Sequence, residues 1–159
     1  MVNCGLHVTS PFTIHHSQFT INQEHKMVNE EQRTALIEAA LAIRDRAYVP
    51  YSHYPVGAAL LMEDGTIVTG VNVENSSYGL TICAERTAVT KAITAGYRKI
   101  LAVAVATDNA GSPCGACRQV LTEFAGDVPV YLVDATGNGR DTTLHTLLPD
   151  HFGPEHLDR

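Results

Sequence analysis

The chain has 159 residues, of which 45% are hydrophobic and 18% charged, with a formal net charge of −6. That composition fits one folded domain with enough chain for its own core, and it excludes a disordered polymer. The acidic balance argues against a phosphate backbone as the main partner. No apolar run approaches the ~20 residues that a membrane span needs.

Residues 1–27 hold four of the eight histidines (His7, His15, His16 and His25) and show no lasting period. They read as an N-terminal extension expected to be poorly ordered, with a single domain over 28–159. The pattern changes at Asn29. Asn29 with Gln32 three residues on is a helix cap, and Leu36, Ala40, Ile43 and Ala47 recur at helical spacing. Pro50 and Pro55 close this segment, so the first helix is expected over 30–47.

Two strands are expected next, Val56–Met62 and Thr66–Val73, joined at the Asp64-Gly65 turn. Their near-continuous hydrophobicity suggests a sheet covered on both faces. A loop over Asn75–Gly79 leads to a second helix at about 82–95, closed by Gly96. Ile100–Ala106 reads as a strand. Ser112-Pro113 reads as a helix entry, with Ser112 as cap and Pro113 in the first turn, and that helix runs to about Phe124. Val128–Val133 is a further strand, Thr136–Arg140 a loop, and Thr142–Leu147 a last strand. The order places helices on both faces of one α/β sheet.

Four cysteines are too few for a disulfide scaffold. The opening residues have no basic-then-apolar layout, and the first arginine is Arg33. A reducing cytoplasm is therefore the expected compartment. Cys83 falls at the start of the second helix, and Cys114 and Cys117 at the start of the third. Helix N-termini present free N–H groups and a positive dipole end, which favour thiolates. Two such starts facing one point would hold three thiolates around zinc. Three ligands leave a fourth position for water, whose pKa zinc lowers toward ~7. Glu85, in a first helical turn, can point back at that water. Cys83-Ala84-Glu85 followed by Pro113-Cys114-Gly115-Ala116-Cys117 matches the zinc-deaminase signature.

Each piece has a plainer reading. A C-x-x-C pair also occurs in redox and structural zinc sites, and Cys4 could close a four-cysteine structural centre. A first-turn glutamate is often only favourable with the helix dipole. Arg86 offsets thiolate charge or is an ordinary surface cation. Asn72 and Glu74, at a strand end, hold sugar hydroxyls or merely cap a loop.

Taken together, the chain resembles the cytidine deaminases of the small homotetrameric type over about residues 29–157. The matching strings are Pro55–Leu60, Val71–Asn75, Ser77–Thr81 running into Cys83–Arg86, Ser112–Gln119, and Phe152–Glu155. The resemblance implies a three-layer α/β/α sandwich around a mixed sheet. It implies hydrolytic deamination of cytidine and 2′-deoxycytidine with one zinc ion per subunit. Cys83, Cys114 and Cys117 would be the zinc ligands, and Glu85 the proton carrier. Asn72 and Glu74 would bind ribose, and Arg86 would temper thiolate charge. The backbone at Ala84, Ser112 and Pro113 would read the base edge, and Phe152 would reach a neighbouring subunit's site. Tyr54 stands where the family commonly has phenylalanine; its ring can stack on the base, but its hydroxyl needs a partner. Neither nucleic acid nor a membrane is an expected partner. The competing expectations are a deaminase of another aminopyrimidine such as blasticidin S, and a zinc-stabilised module without activity.

Overall fold

The first helix begins where the sequence places its cap. In the computed structural model, which describes residues 28–157, Gln32 N–H donates to Asn29 Oδ1 at 2.8 Å and Asn29 N–H to Gln32 Oε1 at 3.2 Å. This reciprocal box starts helix α1, Glu30–Arg44. The helix stops at Arg44 rather than at 47. The Arg46 and Ala47 N–H groups bond to carbonyls three residues back, at Ile43 and Arg44, so the chain leaves through a tighter turn. The extension over 1–27, with Cys4 and its histidines, lies outside the described residues.

Strand β1 (Gly57–Met62) is buried along its whole length, and β2 (Ile67–Val71) alternates as an edge strand does. Strands β3 (Ile100–Ala106), β4 (Pro129–Val133) and β5 (Gly139–Thr143) complete a five-stranded sheet in the order β2-β1-β3-β4-β5. Only the β3–β4 pair is parallel, so the sheet is mixed, as expected.

The two-residue period of β1 divides the core. Ala59 and Leu61 face α1, where Leu36 and Ala40 pack against them with Ala102, Ala104 and Tyr131. Ala58, Leu60 and Met62 face helix α2 (Ala84–Thr94), where Ala88, Val89 and Ala92 join Val103, Val105 and Leu121. Leu121 belongs to helix α3, Gly115–Thr122. Helices therefore cover both faces, giving three layers. Small residues let them come close: a β-carbon at Gly70 would collide with the backbone of α2 at Ala84 and Ala88.

Four further sequence expectations need correction. The second strand is shorter than 66–73, because Val73 instead forms isolated bridges with Tyr48 and Ile82. Helix α3 is capped by Cys114, not Ser112, and Pro113 precedes it. Cys114 is extended (φ −66°, ψ 165°), and its carbonyl accepts the first helical bond, from Arg118 N–H at 3.0 Å. The segment expected as a last strand over 142–147 is the end of β5 followed by a short helix α4, Leu144–Leu147. Thr143 Oγ1 caps it by accepting from Thr146 N–H at 3.2 Å. The loop expected over 136–140 is a turn closed earlier by Asp134, whose Oδ1 accepts from Thr136 and Asn138 N–H. Among the described residues, no helix is long and apolar enough to cross a membrane.

Candidate active site

The N-termini of α2 and α3 meet on one side of the sheet. Cys83 is the N-cap of α2 and Cys114 the N-cap of α3, and neither side chain makes a capping hydrogen bond. Cys117 lies one turn into α3 and is fully buried. Sγ of Cys114 is 3.9 Å from Cys83 Sγ and 3.6 Å from Cys117 Sγ. All three sulfurs lie within 4.8 Å of one another, and no other group of three or more metal-binding side chains occurs among the described residues. Zinc–sulfur bonds of about 2.3 Å in a tetrahedron put sulfurs about 3.8 Å apart, so this donor set fits a zinc ion.

The surroundings favour charge at one sulfur. Hydrogen bonding to Cys117, supported by Arg86, pushes the Cys83 thiol down to about 5. The same bond with Cys83, together with burial and the neighbouring Glu85, pushes the Cys117 thiol up. Arg86 Nη2 donates to Cys83 Sγ at 3.6 Å and to the Thr81 carbonyl at 3.1 Å, while its Nε is buried without a partner. Glu85 is 4% exposed and its Oε2 stands 3.5 Å from Cys117 Sγ. Burial raises its carboxyl above the ordinary range. Ala84 precedes it, fully buried, in a first turn whose N–H groups have no partner inside the helix.

A second group forms a wall beside this cluster. Asn72 closes β2 and is 8% exposed. Its Oδ1 accepts from Val56 N–H and its Nδ2 donates to the Tyr54 carbonyl, both at 2.9 Å. One amide N–H of Asn72 remains. Glu74 Oε2 accepts from the N–H groups of Tyr51 at 2.9 Å and Ser52 at 3.2 Å, leaving Oε1. Hydrogen bonding to Ser52 and Tyr51 holds the Glu74 carboxyl below its usual range. The Tyr54 hydroxyl finds its partner in Asn109, donating to Oδ1 at 2.7 Å.

Two backbone links fasten this wall to the cysteines. Val73 and Ile82 exchange N–H···O bonds of 2.9 and 3.0 Å, just before Cys83. Asn109 lies in the loop that runs into Cys114. Thus one chain of contacts runs from Arg86 through Cys83, Cys114 and Cys117 to Glu85, and Asn72, Glu74 and Tyr54 are tied beside it.

Ser112 and Pro113 are held by Arg118, which sequence reasoning did not single out. Its Nε donates to the Pro113 carbonyl at 2.7 Å, its Nη2 to Ser112 Oγ at 3.2 Å and its Nη1 to the Leu147 carbonyl at 2.7 Å. Gln119 holds the Phe152 carbonyl at 2.6 Å. The Phe152 ring is 59% exposed and stacks on His156, making none of the contacts above. Arg118 and Gln119 follow Cys117 directly, but the reach of their side chains to residues about thirty positions away leaves no periodic signal.

Comparison with known proteins agrees with this geometry. A family model described as the cytidine and deoxycytidylate deaminase zinc-binding region matches residues 30–133. A cytidine deaminase of Sporosarcina psychrophila is 54% identical over 125 residues, covering 77% of this chain and 92% of that protein. One of Halalkalibacterium halodurans is 49% identical over 129 residues, covering 79% and 98%. The crystal structure of cytidine deaminase from Burkholderia pseudomallei superposes with a TM-score of 0.71 at 51% identity, over 75% of this chain and 98% of that one. With its three-layer fold, its cluster of three cysteines and these relatives, the chain belongs to the cytidine and deoxycytidylate deaminase family.

Proposed function

We propose that this chain hydrolyses cytidine and 2′-deoxycytidine to the corresponding uridines, as an enzyme of pyrimidine salvage. The carrying observation is a three-sulfur cluster of zinc dimensions with a buried carboxyl 3.5 Å from one sulfur. The relatives named cytidine deaminase support the substrate.

Cys83, Cys114 and Cys117 would hold one zinc ion, which supplies Lewis acidity and makes water a usable nucleophile near neutral pH. Glu85 carries the proton. Burial raises the proton affinity of this carboxyl above the ordinary range, which suits a group that holds a proton between steps. It accepts one from the attacking water and delivers it to N3 of the cytosine ring as oxygen adds at C4. It then serves the amino group, which leaves as ammonia when the C4–N bond breaks. Arg86 draws charge from the Cys83 thiolate, so the donor set does not quench the metal's acidity.

The wall binds and orients the nucleoside. The open N–H of Asn72 and Oε1 of Glu74 address ribose hydroxyls. The Tyr54 ring stacks on the base, and the backbone at Ala84, Ser112 and Pro113 reads the base edge. Phe152, exposed in one chain, completes the site of a neighbour in a homotetramer. Zinc-binding thiols suit a reducing cytoplasm. The described residues from 28 onward act as the catalytic domain, and residues 1–27 as an appendage to it.

The test is the ultraviolet change as purified protein converts cytidine to uridine. Turnover that stops on zinc removal and returns on its restoration supports the reading. A zinc-loaded protein that leaves cytidine intact contradicts it.

A further inference from the structure

Tyr54 and Asn109 belong to two different segments, and both segments are strained at the point where they meet. Among the described residues, two non-glycine positions have positive φ, His53 and Ala110, each at 54°. His53 precedes Tyr54, and Ala110 follows Asn109. Left-handed backbone is unfavourable for a non-glycine residue and persists only where surrounding contacts enforce it. The enforcing contacts are visible. Gly111 N–H donates to Thr107 Oγ1 at 2.7 Å and closes the loop around Ala110. Thr107 is 3% exposed, and its hydroxyl donates in turn to Asn109 Oδ1 at 3.4 Å. The same Oδ1 accepts the Tyr54 hydroxyl at 2.7 Å. A β-carbon at Gly111 would stand 2.9 Å from that hydroxyl, so glycine leaves the approach of the two segments uncrowded.

We propose that Asn109 is a positioning residue for the deamination, acting through the Tyr54 hydroxyl; this rests on the proposed nucleoside reading. Asn109 Oδ1 locks the wall that carries Tyr54 to the strand-to-helix loop that leads to Ser112, Pro113 and Cys114. The sides of the pocket that take the sugar and the base are then set before substrate arrives, and binding need not order them. Glu85 and the cysteines are fixed by α2 and α3 instead, so the lock governs substrate binding rather than proton transfer. Arg44 gives the two segments a second tie, donating from Nε to the Pro55 carbonyl at 3.1 Å and pairing with Asp108. Loss of the lock therefore leaves the loops folded.

The experiment is steady-state cytidine kinetics on the full chain for wild type, Asn109→Leu, Tyr54→Phe, the double variant and Asn109→Asp, with a melting curve for each. Loss of one neutral hydrogen bond predicts KM raised about 3- to 10-fold in Asn109→Leu and in Tyr54→Phe. The account predicts kcat within about twofold of wild type, since the interaction removed serves binding. The double variant should be no worse than either single one, because both remove the same contact. Asn109→Asp, which keeps the acceptor, should restore KM. Wild-type turnover with KM unchanged in Asn109→Leu would overturn the inference. So would single effects that multiply in the double variant, or a fall in kcat at constant KM. A wild type that leaves cytidine intact would instead bring down the nucleoside reading, and this inference with it.

Discussion

The helices of this molecule begin in two ways. α1 and α4 satisfy their own N-termini: Asn29 and Thr143 accept from backbone N–H groups in the first turn. α1 adds Glu30 and Glu31 against the positive end of its dipole. Neither α2 nor α3 closes its end with such a side chain. Their caps are Cys83 and Cys114, which make no capping bond, and the first turn of α3 carries no acidic residue. Both open ends point at one cluster of sulfurs. A helix that serves only as a wall closes its end, whereas the two that build the site leave N–H groups and positive potential for thiolates and a ligand.

The comparison can be broken most sharply at Cys114. Serine is a good capping residue and a poor zinc ligand. Cys114→Ser should lose bound zinc and turnover, while the metal-free protein changes in stability by less than about 1 kcal/mol. Zinc content measured beside chemical denaturation checks this, and full zinc occupancy in the variant would count against the cluster. At the self-closing end, Asn29→Ala should cost about 1 kcal/mol, or about 4 °C in Tm, with kcat and KM unchanged. A drop in turnover at constant zinc would show that α1 is not merely a wall.

The smallest effect is expected at the β4–β5 turn, another self-satisfied feature. Hydrogen bonds from the Thr136 hydroxyl and N–H, and from Asn138 N–H, hold the Asp134 carboxyl below its usual range. A group whose folded pKa is depressed stabilises above its unfolded pKa, about 3.9 for aspartate, and loses that stabilisation as pH falls through the folded value. Asp134→Ala should therefore melt lower than wild type at neutral pH, with the gap closing below about pH 4. A gap that widens in acid would refute the assignment.

Much of this was legible in the sequence. The α1 cap, the apolar run of β3 and the Asp64-Gly65 turn are local, and the structure follows them. The three cysteines and Glu85 were legible because metal chemistry fixes residue types and short spacings. The end of the sheet was not. β5 (Gly139–Thr143) has no apolar period to read, being an exposed edge, and Leu144 with Leu147 gave an ambiguous short apolar pair that became a capped helical turn. Ser112-Pro113 looked like a helix start, yet the start lies at Cys114, because the Cys114 carbonyl is the one that accepts the first helical bond. Arg118 and Asn109 were illegible for another reason. Their partners, Leu147 and Tyr54, are distant in sequence, and only the fold makes them neighbours.

The most direct test of the account is Glu85→Gln, which keeps the shape of the side chain and removes its ability to carry a proton. Zinc content and kcat for cytidine should be measured on the same preparation. The account predicts one zinc per chain, as in wild type, with kcat lowered about 10²- to 10⁴-fold, the range for a lost general acid–base group. Wild-type turnover in a zinc-loaded variant would contradict it, and would leave Glu85 as a first-turn acid that only complements the α2 dipole.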